Sequence, residues 1–88
     1  MLKISVLNET DQAIELRLEG KLIGRWVDEL SRLSQDALAQ GKSISLDMQR
    51  VWFVDARGAA LLRNLAGQQV LQNNCSPFVS QQVKETGL

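Results

Sequence analysis

Histidine and tyrosine are absent from this chain, and cysteine and proline occur once each. Histidine is the side chain most often used as a general base near neutral pH, so its absence removes the commonest route to hydrolytic or transfer chemistry. It also leaves the lone thiol, Cys75, without the partner that usually activates a cysteine nucleophile. A single cysteine excludes an internal disulfide, and Cys75, at a strand end or turn, reads as an inert, partly buried thiol. No apolar run is long enough for a signal peptide or a membrane span, which points to a soluble, cytoplasmic chain without direct membrane insertion. Neither sign of charge prevails: ten basic residues face ten acidic ones, scattered without runs, so no basic patch speaks for nucleic acid.

What is present fits one domain over residues 1–88, short enough that nearly every apolar residue is needed in one core. Leu2, Ile4 and Val6 alternate with polar neighbours, as do Ile14, Leu16 and Leu18, the period of two expected of strands. The short polar link from Asn8 to Gln12 favours an antiparallel hairpin between them. Gly20 and Gly24 then bracket a loop. From Arg25 to Gln40 the residues Trp26, Val27, Leu30, Leu33, Ala37 and Leu38 form one apolar stripe of an amphipathic helix, which Gly41 is placed to stop. On its wet face Asp28 and Arg32 have the spacing of a surface ion pair.

Ser43 to Met48 reads as a short strand, and Val51 to Val54 as a dense apolar run lying against it or continuing it. Gly58 to Ala66, bearing Leu61, Leu62 and Leu65, reads as a second helix ended by Gly67. A weak strand follows over Gln69 to Asn73. The last helix runs from Ser76 to Thr86, with Pro77 at its start and Phe78, Val79 and Val83 inward. Strands alternating with helices after an opening hairpin predict an α/β fold: a mixed sheet of four or five strands with right-handed crossovers and helices mainly on one face.

Chemistry-bearing clusters are few. Asp47 and Asp55 are the acids nearest strand ends, where open α/β sheets carry their sites, but two carboxylates in one segment fit loop capping better than metal binding, and nothing calls for a cofactor. The glycines around Lys21 form neither GxGxxG nor a P-loop. The most informative segment is Val51-Trp52-Phe53-Val54-Asp55-Ala56-Arg57-Gly58-Ala59-Ala60-Leu61-Leu62, an apolar strand that ends in an acid and passes through a glycine into a helix. Asp55 alone suits the cap of that helix. Arg57 sits unfavourably near its positive end unless a carboxylate pairs with it, either Asp55 or an acid of a partner. Trp26 fits the buried stripe, whereas Trp52 reads equally as core or as an interface anchor.

This segment resembles the central strand, turn and helix of the STAS domain, the fold of bacterial anti-sigma-factor antagonists and of the cytoplasmic tails of sulfate transporters. Leu18-Glu19-Gly20-Lys21-Leu22 is similar to the family's second strand and glycine turn, and Cys75 to Val79 through Thr86-Gly87-Leu88 to its closing helix. The resemblance implies a non-enzymatic domain that binds a protein. In phospho-regulated antagonists the turn reads Asp-Ser-Ser/Thr-Gly, and its first hydroxyl is phosphorylated by a kinase that is also the anti-sigma factor. Here Asp55 and Gly58 match, Ala56 replaces the acceptor, and Arg57 replaces the next small polar residue. Ile23, where many relatives carry an acid, and a shortened Gly67 to Ser76 are further departures. The implied interface is Asp55, Ala56, Arg57 and Gly58, with Gly20, Gly24 and Trp52 nearby, and the partner an anti-sigma factor kinase. The alternatives are an accessory subunit binding the ATPase of a membrane lipid-transport complex, or a nucleotide- or anion-sensing domain using the helix N-terminus.

Overall fold

The computed structural model describes residues 1–85. Leu2–Glu9 (β1) and Ala13–Leu22 (β2) form the expected antiparallel hairpin, pairing Leu2 with Gly20 and Val6 with Leu16. Its turn is held by Thr10, whose Oγ1 accepts from the N–H groups of Gln12 and Ala13 at 3.2 and 3.0 Å. β2 continues through Lys21 and Leu22, so Gly20 lies inside the sheet between Leu2 and Val51, and the loop expected from Gly20 onward shrinks to Ile23 and Gly24.

Helix α1 (Arg25–Ala39) connects β2 to β3 (Ser43–Val54), and helix α2 (Ala56–Gly67) connects β3 to β4 (Leu71–Asn73). The sheet order is β1-β2-β3-β4, with β3 parallel to both β2 and β4. Both crossovers step the same way across the sheet, so right-handedness places both helices on one face. Helix α3 (Pro77–Glu85) packs against β3 and α2, and Thr86, which the last helix was expected to include, lies outside the described residues. Of the stripe on α1, Val27, Leu30 and Ala37 are buried while Trp26 and Leu38 are only partly so; Ser34, which the apolar pattern passes over, is fully buried.

β3 is one strand of 12 residues where the broken alternation suggested two short ones. The break has a physical cause. The register against β2 slips once between Arg17 and Glu19 and again between Gly20 and Lys21, each slip leaving an extra residue in β3. Such bulges shift the phase of side chains. The inward set is therefore Ile44, Leu46, Met48, Val51 and Val54, all buried, and Trp52 is pushed out at the second slip with 59% of its surface exposed.

The helix ends follow backbone rules. At the end of α1 Gly41 adopts a left-handed conformation, its N–H donating to Leu38 O at 3.0 Å and that of Lys42 to Ala37 O at 3.1 Å, a Schellman motif. α2 ends the same way two residues beyond the glycine expected to stop it, with Gln69 at φ 67 taking the left-handed position. Ser76 caps α3 through a 3.2 Å bond from Val79 N–H. On this short helix Val79 is buried but Phe78, expected inward, is 59% exposed.

β4 pairs only with Ser45 to Asp47, leaving the rest of that β3 edge without a neighbouring strand. Helix α3 closes its far end: Gln82 accepts from Val54 N–H with Oε1 and donates to Val54 O with Nε2, both at 3.2 Å, as a paired strand would. Val54 is buried, so Gln82→Leu strands two buried backbone groups and should cost about 1–3 kcal/mol in urea unfolding, with Gln82→Glu, which keeps only the acceptor, falling between.

The face opposite the helices is polar. Arg17 Nε reaches Asp47 Oδ2 at 3.3 Å and Arg50 Nη1 reaches Glu19 Oε1 at 3.0 Å. The Asp47 carboxyl is held below its ordinary value of 3.8, first by the Gln49 N–H and next by the Asn74 amide, against the opposing effect of burial, with Arg17 adding a smaller pull. A carboxyl more acidic in the folded than in the unfolded chain stabilises the fold fully above its unfolded value and loses that contribution as pH falls through the folded one. The stability difference between wild type and Asp47→Asn should thus be constant at neutral pH and shrink below about pH 4, read from urea midpoints across a pH series.

Candidate functional site

β2 and β3 run parallel, so their C-terminal ends meet at the same side of the sheet and deliver two helix N-termini together. The junction is built around Asp55, the N-cap of α2. Its Oδ1 accepts from Gly58 N–H at 2.7 Å and its Oδ2 from Gly24 N–H at 3.0 Å. One carboxylate thus satisfies donors at the start of both α1 and α2, the groups a helix leaves unpaired. The Asp55 N–H donates to Leu22 O at 3.2 Å, fixing the capping residue to the last strand position of β2.

Two of these partners are glycine for different reasons. Gly24 has φ 54 and ψ −132, a conformation only glycine adopts readily. Gly58 has ordinary helical geometry but is buried, and a Cβ there would stand 2.6 Å from Leu22 O.

Ala56 and Arg57 occupy the first turn of α2 and are exposed. Arg57 pairs with neither Asp55 nor open solvent alone: its Nη2 donates to Asp28 Oδ1 in the first turn of α1. Arg32, the expected partner of Asp28, bonds Glu29 at 2.6 Å and approaches Asp36 at 3.6 Å. Asp28 was therefore missed as a site residue. The signal that points to it is the need of a cation at a helix N-terminus for a nearby carboxylate, combined with an acid in the first turn of the other helix.

The site residues divide plainly. Gly24, Asp55 and Gly58 are joined by hydrogen bonds, Ala56 and Arg57 form the exposed tip, and Asp28 joins them. Gly20 sits within the sheet, not at the turn. Trp52 lies on β3 ahead of the turn, with the Lys21 ammonium 4.7 Å from its ring centroid, so it belongs to the surface and not to the core. Burial pushes the Cys75 thiol up, away from the thiolate a nucleophile needs. The oxygens of Asp47 and Asp55 are engaged by the bonds already given, and among the described residues no group of three or more His, Cys, Asp and Glu side chains is placed to hold a metal ion. No helix among them is long and apolar enough to cross a membrane.

A family model described as "Mlab, STAS domain" matches residues 5–88. Among solved structures, that of the anti-sigma factor antagonist SpoIIAA in its unphosphorylated form is similar to this chain with 24% sequence identity and a TM-score of 0.72, over 98% of this chain and 82% of that one. At that identity the likeness speaks for the fold. No curated protein sequence matches.

Asp55→Ala removes a helix cap and a second charge-assisted bond at once and should lower stability by about 2–3 kcal/mol. Asp55→Asn retains one acceptor oxygen, enough for the cap to Gly58, and should recover roughly half of that loss; an Asp55→Asn variant as stable as wild type in thermal unfolding would show that the bond to Gly24 contributes nothing.

Proposed function

The chain belongs to the STAS domain family, and from that membership we propose that it is a non-catalytic, cytoplasmic protein-interaction domain that docks through the tip of the Asp55–Gly58 turn. The observation that carries the reading is the division of labour within that turn. The two residues that match the family motif face inward, Asp55 as a shared cap and Gly58 against Leu22 O. The two that depart from it, Ala56 and Arg57, are the ones a partner touches first. Trp52, exposed and stacked under Lys21, supplies an aromatic anchor of the kind enriched at interfaces.

A methyl group at position 56 accepts no phosphate, so docking here is not interrupted by the added charge that phosphorylation would bring. Arg57 gives the tip a fixed guanidinium, oriented by Asp28 and suited to a carboxylate on the partner. The partner that fits the resemblance is an anti-sigma factor of the kinase type. The ATPase of a membrane transport complex is the other candidate, and the identity of the captured protein decides between them.

The test is capture of partners on the immobilised domain from its own cells, followed by titration calorimetry with the purified partner. Arg57→Glu should weaken binding by about 30-fold, as removal of an interface arginine does, while the loss of an exposed ion pair changes stability by no more than about 1 kcal/mol. The double variant Asp28→Arg with Arg57→Asp restores the internal pair but not the affinity. Full affinity in Arg57→Glu would move the interface to another face.

A further inference from the structure

Helix α1 packs on β2, β3 and α2, and over the edge strand β1 the helix layer stops short. The inward residues Ile4 and Val6, with Ile14 of β2, floor an apolar groove of about 780 Å³ whose wall is formed by Trp26 and Leu33 of α1. That volume lies in the range of small-molecule sites, roughly 300–1,000 Å³. Its two walls agree in length: Leu2 to Val6 extends on the order of 13 Å along a strand, and Arg25 to Leu33 about 12 Å along a helix.

Charged residues line the α1 side of this groove: Arg25, Asp28, Glu29 and Arg32. Asp28 is taken by Arg57, and Glu29 by Arg32. Among the described residues Arg25 is the one charge on this rim with no ion pair, its guanidinium lying 4.9 Å from the Trp26 ring centroid. An apolar channel with one uncompensated cation at its mouth is complementary to a molecule with an alkyl chain and one anionic end.

We propose that the groove between β1 and α1 binds a free, single-chain anionic amphiphile, its alkyl chain along Ile4, Val6, Ile14, Trp26 and Leu33 and its carboxylate at Arg25. The groove adjoins the tip of the Asp55–Gly58 turn at Asp28, which pairs with Arg57, but the inference does not depend on the docking partner.

The groove carries its own reporter in Trp26. In a Trp52→Phe background, which leaves one indole, titration with octanoate, decanoate and dodecanoate should give saturable, one-to-one fluorescence changes. Affinity should rise several-fold to about tenfold for each two-carbon step while the chain still lies within the groove, since each buried methylene counts about fourfold at most. Dodecyltrimethylammonium should bind more weakly than dodecanoate, and Arg25→Glu should reverse that order. Val6→Glu should weaken binding of every carboxylate. Positions 6 and 25 are both exposed, and unchanged melting temperatures confirm that the variants fold. Absence of saturation, affinity indifferent to chain length, or equal binding of both head groups would overturn the proposal. A response only to phosphatidylcholine–phosphatidylglycerol vesicles would also overturn it, replacing a free ligand with a bilayer surface.

Discussion

Both parallel crossovers of this fold begin at one carboxylate. Asp55 closes β3, caps α2 through Gly58 and satisfies Gly24 at the start of α1, so the spacing between the two helix N-termini is set by the bite of a single side chain. The other features of the junction follow from that distance. Gly58 must lack a Cβ because α2, drawn in by its cap, would set such an atom 2.6 Å from Leu22 O. Gly24 must take its unusual conformation for its N–H to aim at Oδ2. The ion pair between Asp28 and Arg57 is reachable only because the two first turns have already been brought together.

A second constraint acts at the sheet edge. β4 is 3 residues long, too short to cover β3, whose 12 residues would otherwise present a long unpaired edge. Exposed edges invite pairing with other chains, and bulges blunt them. Here β3 slips register twice along that length, and its last buried position is closed by a side-chain amide from α3 that supplies one donor and one acceptor. The closing helix is thus tied to the strand that leads into the site.

These two constraints explain what the residues disclose and what they conceal. The hairpin was legible because Leu2 to Val6 and Ile14 to Leu18 keep an unbroken period of two, and α1 because its stripe is long. β3 was legible as strand but not as one strand, because bulges shift the phase and so look like an ending. Phe78 was misplaced because α3 has only 9 residues, too few for a helical period to choose between neighbouring positions. Asp55 as a cap was legible from its place before a helix. Its second bond, to Gly24, was not, since that depends on strand adjacency; the same holds for Asp28 with Arg57 and for Gln82 with Val54, partners separated by 29 and 28 positions.

The energies of the turn separate fold from recognition. The two bonds of Asp55 hold a partly buried junction and together are worth about 2–3 kcal/mol. The pair between Asp28 and Arg57 is more than half exposed on both sides and contributes about 0–1 kcal/mol. A change at Asp55 or Gly58 therefore acts first on the helix junction, whatever it does to binding. Ala56 and Arg57 are free to vary at almost no cost to the fold, because neither fills the interior. The family motif accordingly mixes two kinds of position: an aspartate and a glycine that build the turn, and two residues between them that face outward. Departure at the outward pair, with retention of the inward pair, is what a domain that keeps this junction while facing a different surface requires.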